Sequence, residues 1–322
     1  MVVKLRENVN RFGMRVAIVT EGGKNIGFGH ITRCLSLYEE FKRRKIPIIF
    51  VVNEDAVLKE KLKGKPCRTY QAGTSKIKEI IKAIEGFDAL VIDSYLLALG
   101  DYLEIRSVIP WLICIDDNQR LDYPADVIVN GAVYAQELNY PKVADRKYLL
   151  GPSFIPIRPE FAKAPRRRIK DEIENILITF GGNDPLKRMP KIRSFLKTRY
   201  PSIAVDVLHN KNVRAVIQLM RQADIAISAG GQTLYELACT GAPTVGICVA
   251  DNQINNLEGW EQKGFLKYCG WYDEPDVCQR LQGALAAMRD KKLREKMSRI
   301  GQKFVDGRGA ERTVAKILEM IP

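Results

Sequence analysis

Two glycine-rich loops and one histidine carry most of the chemistry that this 322-residue sequence offers. The first loop runs Gly22-Gly23-Lys24-Asn25-Ile26-Gly27-Phe28-Gly29-His30. Glycines let a ligand approach the backbone closely, and a helix starting at about His30 would aim its free N–H groups at that ligand. The run is not a dinucleotide fingerprint, which needs a third glycine where Thr32 stands. Nor is it a P-loop, which needs Lys-Ser or Lys-Thr where Phe28-Gly29 stand. An imidazole in a helix's first turn feels the positive end of the helix dipole, which disfavours protonation. His30 is therefore expected to be neutral near pH 7 and suited to act as a general base, although a histidine in that place can also merely cap the helix.

The second loop, Ala229-Gly230-Gly231-Gln232-Thr233-Leu234-Tyr235-Glu236, follows an apolar run, Ile225 to Ser228. Gly241 and Pro243 mark the end of a short helix that starts near Gln232. Its first N–H groups, unobstructed at Gly230 and Gly231, could hold a diphosphate. Glu236, about a turn further on, could accept hydrogen bonds from ribose hydroxyls; the plain alternative is a tight turn with an exposed glutamate. A third cluster, Ala250-Asp251-Asn252-Gln253-Ile254-Asn255-Asn256, opens the next helix, where amides can be caps or can read sugar hydroxyls and acetamido groups. Asp93-Ser94-Tyr95 and Asp116-Asp117-Asn118 end strands in the first half. The paired acids invite a metal or acid/base reading, but strand-end acids often cap helices. His209, the other histidine, reads as structural.

These residues need strands and helices to position them. Met14 to Thr20, Ile46 to Val52, Ala89 to Ile92, Leu112 to Ile115 and Val127 to Val129 are short apolar runs without alternation, as in strands buried in a parallel sheet. Ile31, Cys34, Leu35, Tyr38 and Phe41 mark one face of a helix after the first loop. The same grammar restarts at Asn175, with strands Ile176 to Phe180, Ile203 to Leu208, Ile225 to Ser228 and Thr244 to Val249, and a helix from Val213 to Arg221. The expected fold class is α/β, with two doubly wound Rossmann-like domains facing across a cleft. The first is expected at 1–150, a proline-rich, basic linker at 151–170, a nucleotide-binding domain at 171–308 and a terminal helix at 309–322.

Composition narrows the classes. Hydrophobic residues make up 46% and charged residues 28%, so the chain can bury cores in both halves. No apolar run reaches membrane-spanning length, and Met1 to Arg15 lacks the apolar core of a secretory signal, so a cytoplasmic, uninserted protein is expected. Seven unclustered cysteines and two isolated histidines suggest reduced thiols and no metal site. A net charge of +13, with the run Arg166-Arg167-Arg168, could serve nucleic acid, yet no nucleic-acid module accompanies it. Attraction for a phosphate-bearing substrate explains it more economically.

Taken in order, several motifs resemble the nucleotide-sugar hydrolases of pseudaminic acid biosynthesis and the related spore-coat polysaccharide proteins, which have the two-domain GT-B fold. They are Gly27-Phe28-Gly29-His30 with Arg33-Cys34, Asp93-Ser94-Tyr95, Asp116-Asp117, Leu150-Gly151-Pro152 with Arg158-Pro159-Glu160-Phe161, Phe180 to Pro185, Ala229 to Glu236, and Asp251-Asn252-Gln253. The resemblance implies that His30 is catalytic and that Gly230, Gly231, Gln232, Thr233 and Glu236 hold UDP. It also implies that Gly27, Gly29, Tyr95, Asn252 and Gln253 line the sugar pocket. Gln232 departs from the usual Ser or Thr, and Thr32 from a frequent Met, which bears on the substrate. The implied reaction is attack of water on the anomeric carbon of a UDP-linked diacetamido-trideoxy sugar, with no cofactor. Rival readings are a glycosyltransferase of the same fold, in which His30 activates an acceptor hydroxyl, and a basic nucleic-acid binder.

Overall fold

The computed structural model describes residues 13–23, 27–71, 73, 76–163, 165–181, 188–208 and 211–321. In the first part of the chain the strands are β1 (Val16–Thr20), β2 (Ile48–Asn53), β3 (Cys67–Tyr70), β4 (Ala89–Asp93), β5 (Trp111–Ile115), β6 (Val127–Asn130) and β7 (Lys147–Leu150). The helices among them are α1 (Gly29–Arg43), α2 (Ala56–Lys61), α3 (Lys76–Ala83) and α4 (Leu99–Arg106). These strands form one sheet in the order β3-β2-β1-β4-β5-β6-β7, parallel throughout. The unalternating apolar runs explain the middle of that sheet, because both of its faces are covered. In β1, Val16 and Ile18 enter a core shared with Ile31, Leu37 and Phe41 of α1, while Ala17 and Val19 face the opposite core with Ile80, Tyr102 and Ile105. Each such side chain, taken from water, contributes roughly 1.5–3 kcal/mol.

The second part carries β8 (Asn175–Thr179), α5 (Arg188–Arg199), β9 (Ala204–Val207), α6 (Val213–Gln222), β10 (Ile225–Ser228), α7 (Gln232–Thr240) and β11 (Thr244–Cys248). It continues with α8 (Ile254–Lys263), β12 (Leu266–Trp271), α9 (Val277–Ala287), α10 (Lys291–Phe304) and α11 (Gly309–Met320). Its strands order as β12-β11-β10-β8-β9, again parallel. The expected restart of the βα grammar is therefore present, and the fold is α/β with two parallel sheets.

The unit boundaries differ from those expected. One compact unit takes the residues through Pro156 and returns for the segment from Gly309 onward; the other is Ile157–Arg308. The stretch 151–170 is not an extended linker: it forms 3-10 turns at Pro152–Phe154 and Pro159–Lys163, with Ile155, Ile157 and Phe161 buried. Proline density reports backbone restriction, and apolar side chains between the prolines decided the packing. α11 is not a separate appendage either. Ala310, Val314 and Ile317 share the core of β1 and α1, and a Cβ at Gly309 would collide with the Ile155 carbonyl.

Candidate functional site

In each sheet the strand order reverses at one place, and the loops beyond the carboxyl ends of the two strands there form the natural ligand crevice. In the first sheet that place lies between β1 and β4, whose last residues, Thr20 and Asp93, pair directly. The glycine loop leaves β1. Gly23 and Gly27 bridge each other through backbone hydrogen bonds of 2.8 and 3.3 Å, both with positive φ, and Asn53 clamps Gly22 with two further bonds of 3.1 Å. Lys24, Asn25 and Ile26 lie outside the described residues. α1 begins at Gly29 and places His30 in its first turn, as expected.

His30 is buried, at 7% exposure, and its Nδ1 lies 2.6 Å from Asp93 Oδ1. Arg33, one turn along α1, lays its guanidinium between two carboxylates. Nε and Nη2 donate to Asp93 at 2.5 and 2.6 Å, and Nη1 and Nη2 donate to Asp117 at 2.6 and 3.0 Å. The hydroxyl of Tyr95 donates to Asp117 at 2.5 Å, and the Tyr95 ring meets the His30 ring edge-on, 4.6 Å between centroids. Four side chains, Arg33 from α1 and Asp93, Tyr95 and Asp117 from the ends of β4 and β5, thus close a ring of contacts with the imidazole.

The direction of shift expected from the helix dipole is reversed by this geometry. Burial by itself would lower the basicity of His30, but the Asp93 carboxylate, through charge and hydrogen bond together, outweighs it and raises the pKa above 6.5. A full carboxylate charge at contact exceeds the partial charge of a helix end. Asp93 also feels burial, which would raise it, yet Arg33 and His30 hold it far below the usual aspartate range. Asp117 is likewise lowered, Arg33 overcoming its burial. The two adjacent acids play different parts: Asp116 is buried and accepts from the Gln119 backbone at 2.8 Å and from the hydroxyls of Tyr123 and Tyr140, which makes it a turn anchor. Among the described residues, no group of three or more His, Cys, Asp or Glu is placed to hold a metal ion.

The second sheet reverses between β8 and β10. The loop after β10 is Ala229-Gly230-Gly231, and α7 starts at Gln232 as expected. Gly230 has no room for a side chain, since a Cβ would sit 2.8 Å from Leu257 and 2.9 Å from Gln253. Its N–H donates to Gln253 Oε1 at 3.2 Å and its carbonyl accepts from Asn256 Nδ2 at 2.5 Å, while Asn256 Oδ1 accepts from the Tyr235 hydroxyl at 2.6 Å. Gln253 therefore occupies one of the N–H groups expected to grip a diphosphate. At the start of α7 the Leu234 N–H donates to the Gly231 carbonyl at 3.0 Å, and a Cβ at Gly231 would meet only open space. Glu236 is not the exposed glutamate of the plain alternative: it is 3% exposed, and Arg158 Nε and Nη2 each donate to it at 2.8 Å. Burial raises its pKa from the usual range, and Arg158 works against that rise. Asn252 is exposed in a short turn before α8. His209 and the motif residues Gly182 to Pro185 lie outside the described residues.

Arg33 and Arg158 complete the two carboxylate contacts from within the motifs Arg33-Cys34 and Arg158-Pro159-Glu160-Phe161; the helical spacing of His30 and Arg33 is the sequence signal for the first. Glu21, also buried, carries no sequence signal of its own. No family model matches the chain. It is similar in sequence to individual proteins. It is 27% identical over 282 residues to a Helicobacter pylori protein named pseudaminic acid cytidylyltransferase and UDP-2,4-diacetamido-2,4,6-trideoxy-beta-L-altropyranose hydrolase, covering 79% of this chain and 48% of that one. It is 25% identical over 276 residues to a Campylobacter jejuni UDP-2,4-diacetamido-2,4,6-trideoxy-beta-L-altropyranose hydrolase, covering 78% and 98%. It is 24% identical over 352 residues to a Bacillus subtilis spore coat polysaccharide biosynthesis protein, covering 95% and 98%. The chain resembles UDP-sugar hydrolases and spore-coat polysaccharide proteins. It spans about half the length of the first curated relatives it matches, 55% and 48%. In fold it is similar to Acinetobacter baumannii MurG, with a TM-score of 0.69 at 15% identity over 95% of this chain and 99% of that one. The fold is thus the two-domain α/β fold of the GT-B glycosyltransferases. Among the described residues, no helix is long and apolar enough to cross a membrane.

Proposed function

We propose that the chain hydrolyses a UDP-linked acetamido sugar of the diacetamido-trideoxy class, releasing UDP and free sugar. The observation that carries this reading is the buried His30–Asp93 pair at the reversal of the first sheet, supported by the hydrolase names of two relatives. Asp93 takes the Nδ1 proton as a hydrogen bond and so fixes the tautomer that leaves the Nε2 lone pair for catalysis. Water gives its proton to Nε2 while its oxygen bonds to the anomeric carbon. The bond from that carbon to the β-phosphate oxygen breaks, and its electron pair leaves with UDP. N–H groups at Gly231, Gln232 and Thr233 meet the charge on the departing diphosphate, a role that needs no metal ion. Glu236, held by Arg158, would accept from ribose with its remaining lone pairs, and Tyr95, Gly27, Gly29, Asn252 and Gln253 would read the sugar.

Seven unpaired thiols, five of them buried, fit a reducing compartment such as the cytoplasm. A second reading, transfer of the sugar to an acceptor hydroxyl, is favoured by the glycosyltransferase structures that share the fold. Product analysis separates the two. Incubation of the full chain with a panel of UDP-, GDP- and CMP-linked acetamido sugars, in water containing EDTA and without acceptor, should give free sugar and UDP in equal amounts. Turnover that starts only on addition of an acceptor identifies a transferase, and rates restored only by a divalent metal overturn the metal-free mechanism.

A further inference from the structure

Glu21 follows β1 directly and is fully buried, beside Ser94, because Thr20 pairs with Asp93 at the ends of adjacent strands. A carboxylate taken from water is costly unless donors surround it. Here the donors all come from one turn: the Ser94 hydroxyl, the Tyr95 N–H at 2.6 Å and the Leu96 N–H at 3.1 Å. Ser94 Oγ in turn accepts from the Leu96 and Leu97 N–H groups at 3.0 and 3.1 Å. The backbone of Tyr95 is thus pinned by Glu21 and its hydroxyl by Asp117, which leaves the ring no freedom to leave the edge of His30.

We infer that Glu21 is a positioning residue, acting on His30 through the seat of the Tyr95 ring. The inference deepens the proposed reaction and rests on His30 as its base. Without the Glu21 carboxylate the turn after β4 loses its shared acceptor, the Tyr95 ring drifts, and water reaches the imidazole. Tyr95 apart, the groups that face His30, namely Asp93 and Arg33 with Asp117 behind it, keep their charges. Reduced burial then penalises the imidazolium less, so its titration moves upward.

The test follows the His30 ring by NMR titration of the full chain, where two histidines make assignment simple with His30→Gln. Glu21→Gln is expected to move the His30 midpoint upward and to lower kcat for UDP-sugar hydrolysis about tenfold, leaving KM unchanged. A folded Glu21→Gln protein with the wild-type midpoint overturns the inference, whatever its thermal stability. Should Glu21→Gln fail to fold, Ser94→Ala removes one donor and carries the same test, a smaller upward shift supporting the inference and an unmoved midpoint overturning it. The midpoint is read without substrate. A wild-type chain that hydrolyses no UDP-sugar, with the midpoint displaced in the variant, therefore defeats the hydrolase reading alone.

Discussion

The two glycine loops are built alike and stabilised oppositely. Each leaves a strand at the reversal of its sheet and leads into a helix. Around the first, charged side chains satisfy one another: His30, Asp93, Arg33 and Asp117 are joined at 2.5 to 3.2 Å. Around the second, neutral amides clamp the backbone itself, Gln253 and Asn256 holding the two polar groups of Gly230. A network of charges tunes a proton affinity, whereas a fixed backbone presents donors of constant strength. The contrast fits the proposed reaction, with proton transfer at the first loop and anion binding at the second.

Breaking the first loop should cost most. His30→Gln is expected to lower kcat by about 10²–10⁴-fold with UDP affinity unchanged, measured by steady-state kinetics and calorimetric titration of UDP. Loss of UDP affinity in that variant would erase the division of labour. Arg158→Ala leaves the buried Glu236 carboxylate without its partner. Stability should fall by about 3 kcal/mol in chemical denaturation, an effect absent from the double variant in which Glu236 is also made Met. Gly230→Ala forces a Cβ against Leu257 and Gln253, so UDP should bind about tenfold more weakly, at a stability cost of about 1–3 kcal/mol. Normal UDP binding with that residue in place would show that the loop does not grip the diphosphate.

The pH dependence sharpens the same comparison with the smallest effect. A base must be neutral, and the pKa of His30 is raised, so kcat should climb as pH rises through a midpoint above 6.5. The stability that the imidazolium gains from Asp93 has the opposite sign. It is fully present below the unfolded value of about 6.5 and is lost as pH rises through the folded midpoint. Activity and this part of the stability should therefore cross over in one window, and His30→Gln should abolish both trends. UDP binding to the second loop should follow only the terminal phosphate of the ligand and Glu236, and His30→Gln should leave its pH profile unchanged.

Much of the fold is legible because interior strands announce themselves. β1, β4 and β10 are apolar at almost every position since both faces of the sheet are covered. The unheralded strands β3, β7 and β12 are all sheet edges, with sequences Cys-Arg-Thr-Tyr, Lys-Tyr-Leu-Leu and Leu-Lys-Tyr-Cys-Gly-Trp, whose outer sides tolerate polar residues. The helix starts at His30 and Gln232 were likewise readable, because glycine before an apolar period has few other meanings.

By itself the sequence determined where the two glycine loops leave their strands and where the helices after them begin, since glycine and apolar periodicity reflect local backbone needs. Only the tertiary structure decided the raised basicity of His30, the burial of Glu236 against Arg158 and the donors around Glu21. Each depends on a charge or donor brought near by strand pairing or packing from 63, 78 and 73 residues away. Electrostatic interaction follows distance in space, and separation along the chain gives no measure of it.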